Sequence, residues 1–239
     1  MNVYEINDIK KLLSENTYPG RGIVIGKTAD GENAVTAYFI MGRSENSRNR
    51  VFLKDEKGLC TKAFDESKLE DPSLIIYYAV LEHENKLMVT NGDQTDTIYK
   101  FVKEGKSFTD ALNTREFEPD APNFTPRISG MLEFLDGDFT YQMSILKSID
   151  EVGSDCARHT YTFPSKPGLG HFIHTYMCDG NPIPTFTGEP ERIEISGNID
   201  EFSDAIWNNL NEDNKISLYV RYTNLKDGSV AEKIINKNE

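Results

Sequence analysis

Eight consecutive residues, Arg43-Ser44-Glu45-Asn46-Ser47-Arg48-Asn49-Arg50, set three guanidiniums among hydroxyl and amide groups directly after an apolar run at 34–41. An arginine fork matches phosphate and carboxylate oxygens two at a time. The chemistry this segment suits is capture of a small anion, a phosphorylated metabolite first. The bland alternative is a solvated loop ion-paired with neighbouring carboxylates. Arg21, just before the apolar stretch 22–27, either adds a further guanidinium or is a surface charge. Gly20-Arg21-Gly22 with Gly26 is not a dinucleotide loop, because these glycines precede a strand instead of following one and opening a helix.

Other segments could work beside it. The run Thr90-Asn91-Gly92-Asp93-Gln94-Thr95-Asp96-Thr97 is polar for a strand-to-helix junction. It either presents amides and hydroxyls to an anion or a purine-like edge, or is a capped turn. Glu116-Phe117-Glu118-Pro119-Asp120 supplies carboxylates that can move protons if burial raises their pKa; the alternative is an acidic surface loop. Tyr77 and Tyr78 are adjacent, so on a strand one faces each side. A phenol in a dry pocket can donate to developing negative charge, though core packing is the commoner fate. His171 and His174 point to opposite faces of a strand, which argues against a shared metal. No Gly-x-Ser-x-Gly elbow is present, and neither metal nor cofactor is expected.

The bulk numbers limit the partners. Of 239 residues, 38% are hydrophobic and 27% charged, enough apolar material for a sizeable core. A net charge of −13 argues against nonspecific nucleic-acid or acidic-membrane binding. Against that background Arg21 to Lys54 reverses sign, with six basic residues and three acidic ones. Cys60, Cys156 and Cys178 form no CxxC pair and fit a reducing cytoplasm. The first residues carry no basic region followed by an apolar core, so no signal peptide is expected. No apolar stretch approaches bilayer-spanning length.

The elements that must position these residues are mostly strands. Ile6, Ile9, Leu12 and Leu13 have helical spacing within 5–15. Strands are expected at 22–27 and 34–41 across an Asp30-Gly31 turn, at 51–53, near 60–64, at 74–81 and at 87–90. Asp93 or Thr95 would cap a helix running toward Val102. Ser107 and Asp110 have capping-box spacing for another. Three prolines make 115–126 irregular. Hairpins follow at 127–135 with 139–148 and at 216–222 with 230–235, and strands at 157–163 and 171–177. Residues 164–170 read as a loop and 180–190 as a proline-rich connection. Phe202, Ala205, Ile206 and Leu210 mark a last helix. Adjacent hairpins mean antiparallel pairing, and two stacked sheets with outer helices would cover all faces. A single domain over 1–239 is expected.

Taken in order, Tyr18-Pro19-Gly20-Arg21-Gly22, Tyr38 through Arg50, Tyr77, Thr90-Asn91-Gly92 with Thr95-Asp96-Thr97-Ile98, and Glu118 with Thr125-Pro126-Arg127-Ile128 resemble the archaeal-type IMP cyclohydrolase family. The motifs occupy 18–135, and 1–17 would be an N-terminal helical extension. The resemblance implies an α+β fold, a four-layer αββα sandwich of two mainly antiparallel sheets similar to N-terminal nucleophile hydrolases. It implies ring closure of 5-formamidoimidazole-4-carboxamide ribonucleotide to inosine monophosphate, the last step of purine synthesis, on a small-molecule nucleotide and without a cofactor. By motif match, Arg21, Arg43, Ser44, Asn49 and Arg50 would hold phosphate, ribose or carboxamide. Asn91 and Asp93 or Thr95 would contact the base. Tyr77 would polarise the formyl oxygen, and Glu118 would transfer protons. Arg127 would orient Glu118 or meet substrate, and Arg48 is a weaker match.

The residues before Arg21 offer no free N-terminal Ser, Thr or Cys, which an intramolecular condensation does not need. Cleavage before Ser14 or Thr17 would expose one, and an amide hydrolase of the N-terminal nucleophile type is therefore an alternative. A non-catalytic purine-nucleotide-binding protein is another. The segment 165–171 is either a lid that brings Lys166 to a phosphate or a plain connection. Exposed sheet edges are compatible with a homo-oligomer.

Overall fold

The computed structural model describes residues 4–69 and 75–238. Its centre is the hairpin of β1 (Arg21–Lys27) and β2 (Asn33–Met41), turned at Asp30-Gly31, with Gly31 at φ +77°. Nearly every residue of both strands is buried, on either face. Such continuous apolar runs fit only a sheet covered on both sides. Around them a six-stranded sheet runs β11 (Glu191–Glu194), β10 (Leu169–His174), β1, β2, β12 (Lys215–Asn224), β13 (Val230–Asn236). The second sheet follows chain order with seven strands: β3 (Val51–Lys54), β4 (Gly58–Lys62), β5 (Tyr78–His83), β6 (Lys86–Thr90), β7 (Arg127–Leu135), β8 (Asp138–Ser148) and β9 (Cys156–Pro164). The neighbouring strands pair antiparallel.

Alternation along the strands sorts side chains into three apolar layers. Ile23, Ile25, Tyr38 and Ile40 point between the sheets and meet Val89, Ile128, Leu132 and Tyr141. Val24, Phe39, Leu218 and Val220 point outward to Ile9 and Leu13 of α1 (Ile9–Glu15) and Phe202 and Ile206 of α5 (Ile199–Trp207). On the far side, Met88 and Met131 meet Ile98 of α3 (Gln94–Lys103) and Phe108 and Leu112 of α4 (Phe108–Leu112). The order helix, sheet, sheet, helix is the α+β sandwich expected. A four-residue helix, α2 (Glu45–Arg48), lies where the chain passes from one sheet to the other.

Several boundaries differ from expectation. The strand expected at 74–81 is β5, starting at Tyr78; Leu74 lies outside the described residues. Thr61 causes the delay. Its hydroxyl bonds the Ile75 carbonyl and accepts the Tyr77 N–H at 3.1 Å, so a side chain holds this backbone where a ladder would. The register shifts between Leu59 and Cys60 at the same place. The arginine segment is not plain loop, because Ser44 and Ser47 cap each other across α2. Leu169 and Gly170 belong to β10, which ends at His174 instead of continuing to 177, and β11 had no sequence signal. The last helix starts earlier, at Ile199, behind an Asn198–Glu201 capping box. No helix among the described residues is long and apolar enough to cross a membrane. All three cysteines are free.

Candidate functional site

At one end of the sandwich β1 and β7 begin and β2, β6 and β10 end. Gly20 brings the chain in. Its φ of +78° suits glycine, and a Cβ there would lie 2.3 Å from Thr175 Oγ1 and 2.5 Å from Tyr176 Cδ2. Its carbonyl accepts the Met41 N–H at 2.8 Å, and the next residue, Arg21, gives its N–H to Thr175 Oγ1 at 3.1 Å. Arg21 is thereby fixed beside Tyr176 and opposite the segment that leads into α2.

There a cavity of about 350 Å³ opens, within the range of small-molecule sites. Arg21, Arg43, Arg50, Ser44, Asn46 and Ser47 line it from the N-terminal part of the chain, and Glu118, Asp120, Asn123 and Thr125 from the irregular 115–126 segment. Tyr18, Ile75, Tyr176 and Ile183 complete it. The three guanidiniums predicted to act together do share one hollow. They differ in burial. Arg43 sits at the mouth, paired with Asp179 at 2.5 Å and lying 5.2 Å over the Tyr18 ring. Arg50 is 5% exposed, and its Nε has no partner among the described residues.

The charged groups around the cavity act on one another. Burial, and then the charge of Arg21, lowers the pKa of Arg50. Burial also opposes the charge of Arg21, but the phenols of Tyr18 and Tyr176, Glu118 and Tyr77 outweigh it and leave that pKa raised. Glu118 is buried. Desolvation raises its pKa, in spite of Arg21 and Arg127, and Asp120 adds to the rise. A carboxyl so placed keeps its proton to higher pH than a free one.

Tyr77 lies behind this surface and is not one of the walls. Its hydroxyl is 2.7 Å from that of Tyr38, and burial raises the pKa of both phenols. Arg50, Arg21 and Glu118 all act on the Tyr77 phenol. If Tyr38 donates to it, the Tyr77 proton is left for a partner other than Tyr38.

Other predicted residues serve the scaffold. The Asn49 side chain makes a two-way bridge to the backbone of Asp65, at 2.8 and 2.7 Å. Asn91 donates to Pro126 O at 2.9 Å and accepts from Ile128 N at 2.9 Å. The Thr95 hydroxyl is taken up by Thr90 and by Gly92 O. Asp93 sits at the start of α3 without capping it and pairs instead with Arg115 at 2.6 Å and Arg127 at 2.7 Å. Arg48 bonds Gly42 O and Asn214. Arg127 comes nearest to the predicted alternatives. It bonds Gln94 Oε1 at 2.7 Å, passes beneath Gly92, and acts on Glu118 by its charge. Lys166 is at the far end of β1, beside Lys27, so 165–171 does not cover the cavity. Among the described residues no cluster of His, Cys, Asp and Glu could hold a metal.

Sequence reasoning singled out Asp120 among the 116–120 carboxylates but missed Tyr18, Tyr38, Asn123, Thr125 and Tyr176. Tyr18, Tyr38 and Thr125 lie inside motifs already noted, but nothing linear links them to Tyr176, which arrives from the end of β10.

A family model described as IMP cyclohydrolase-like protein matches residues 18–228, past the motif-bearing 18–135. A curated relative, an IMP cyclohydrolase of Methanosphaera stadtmanae, is 32% identical over 119 residues. That alignment takes in 48% of this chain and 57% of the relative, so the chain spans little more than half the length of the curated protein it matches.

Proposed function

This chain belongs to the IMP cyclohydrolase-like family, and we propose that it closes the second ring of a purine nucleotide, converting 5-formamidoimidazole-4-carboxamide ribonucleotide to inosine monophosphate with loss of water. The observation that carries this reading is the single cavity in which Arg21, Arg43 and Arg50 converge with a buried Glu118.

The substrate carries both reacting groups, so the carboxamide nitrogen attacks the formyl carbon within one molecule. Holding it in the cyclising conformer can contribute as much as about 7–11 kcal/mol in favourable intramolecular cases. Guanidinium contacts to the phosphate provide remote binding energy for that alignment. As the C–N bond forms, negative charge builds on the former formyl oxygen. Arg50 and Arg21 meet it, with the Tyr77 hydroxyl, held by Tyr38, as a proton donor from behind. Ionised Glu118 takes the proton that the carboxamide nitrogen loses and passes it to the oxyanion. The resulting hydroxyl then leaves as water with a second proton, given by Tyr77 and made good from the formamido N–H through Glu118 as the C=N bond forms. Arg127 holds the Glu118 carboxyl in place. The hard-to-ionise phenol suits donation, and a carboxyl with a raised pKa is the stronger base once ionised. The layer order is that expected for a relative of N-terminal nucleophile hydrolases, and the free thiols fit a cytoplasmic setting.

Incubating the protein with the formamido substrate should produce inosine monophosphate, followed by ultraviolet absorbance. Glu118→Gln and Tyr77→Phe should each lower kcat by roughly 10²–10³ while changing product affinity little. Folded protein with no turnover would remove the proposal, and full rates in both variants would remove these two roles.

A further inference from the structure

One part of the cavity wall is a chain of three oxygen groups whose protons can be counted. The Asp120 carboxylate accepts the Thr125 N–H at 2.6 Å on one oxygen and the Thr125 hydroxyl on the other. A threonine hydroxyl has a single proton, and Asp120 takes it. The Tyr176 hydroxyl lies 2.6 Å from Thr125 Oγ1. Two oxygens at that distance share a proton, and the one available belongs to Tyr176. Tyr176 therefore turns its proton inward and offers the cavity lone pairs only. In a hollow lined by guanidinium donors, it is an acceptor.

Its place in the cavity says what it would accept from. Tyr176 stacks on Tyr18, with ring centroids 5.8 Å apart and planes at 17°. Tyr18 in turn underlies Arg43 at the mouth. On the inner side Arg21 acts on both Tyr176 and Glu118 by charge. Tyr176 thus stands between the outermost guanidinium and the buried carboxyl, as a sugar stands between the phosphate and the base of a nucleotide. We propose that Tyr176, oriented through Thr125 by Asp120, accepts a hydrogen bond from a sugar hydroxyl and makes the cavity selective for ribonucleotides over their deoxy counterparts. The inference rests on reading the cavity as a nucleotide site, and it adds a specificity residue to that reading.

Calorimetric titration of the full chain with inosine monophosphate and its 2′-deoxy and 3′-deoxy analogues tests it. Loss of the recognised hydroxyl should weaken binding to the wild type by roughly tenfold, the size of one net hydrogen bond. In Tyr176→Phe the ribonucleotide should fall to the level of the weaker analogue, which itself should bind as before. Thr125→Val leaves the tyrosine in place but releases its proton toward the cavity, so discrimination should shrink there too, which a merely steric role would not produce. Wild-type protein that binds both analogues as tightly as the ribonucleotide overturns the inference alone, and so does a folded Tyr176→Phe that keeps full discrimination. Folded wild type that binds none of the three overturns the nucleotide reading and this inference with it. Circular dichroism establishes folding, and if Tyr176→Phe does not fold, the wild-type and Thr125→Val comparisons decide.

Discussion

Glu118 shows how one side chain ties stability to function. Its pKa is raised because burial outweighs the pull of Arg21, Arg127 and Arg50. A carboxyl whose folded pKa lies above its unfolded value holds its proton longer in the fold than out of it. Folding is therefore unpenalised below the ordinary carboxylate pKa of about 4.3 and is increasingly opposed as pH rises toward the folded pKa. Glu118→Gln should accordingly raise the melting temperature at pH 7 to 8 and leave it almost unchanged near pH 4. The expected scale is about 2–4 °C for each kcal/mol in a chain of this size. Thermal unfolding of both proteins across that range checks it; an equal offset at every pH would refute the assignment. The same substitution that removes turnover should thus stabilise the protein, because the site holds a group that the fold would sooner keep neutral.

At the scale of elements, the entry to β1 sets the site. Gly20→Ala would force an L-residue into positive φ and drive a methyl into Thr175 and Tyr176. Gly105, at φ +75° after α3, has nothing within 4 Å of its would-be Cβ and serves as a control for strain alone. Gly105→Ala should cost about 1 kcal/mol, and Gly20→Ala roughly 2–4 kcal/mol with loss of nucleotide binding, since Arg21 and Tyr176 both shift. Equal costs in urea unfolding would show that the close approach does not matter. Much at this scale could be read in advance. The Asp30-Gly31 turn, the Ser107–Asp110 capping box and the alternating hairpins are local, and local chemistry fixed them. The start of β5 could not be read, because a Thr61 hydroxyl from another strand sets it. Nor could the wall of the cavity. Arg43 and Arg50 declare themselves by type and spacing, but Asn49 and Asn91 look equally suited to a ligand and instead hold backbone. Tyr176 becomes a site residue only when β10 pairs with β1, 154 positions from Arg21 to Thr175 at the shared contact.

At the scale of the whole molecule, the two sheets must stay face to face for one cavity to exist between their ends. At the opposite end from the site, His171 of β10 reaches across the interface. Its Nδ1 lies 2.6 Å from the Tyr141 hydroxyl of β8, and its ring stacks 3.7 Å from that of Phe163 in β9. Burial first, and the nearby charge of Arg192 second, lower its pKa to about 4. In the unfolded chain it titrates near 6.5. The unfolded state therefore takes up a proton that the fold refuses, and stability falls as pH drops from about 6.5 to about 4, after which this residue adds nothing more. The loss over that span is at most about 3 kcal/mol, and it runs opposite in sign to the contribution of Glu118. His171→Gln cannot charge. It should be less stable than wild type at pH 7, where the stacked neutral imidazole is lost, and the gap should narrow steadily toward pH 4. Urea unfolding at pH 7, 5.5 and 4 measures that gap. A constant gap would mean that the imidazole titrates alike in the fold and in the unfolded chain, and that the sheets are not held together by a histidine kept neutral.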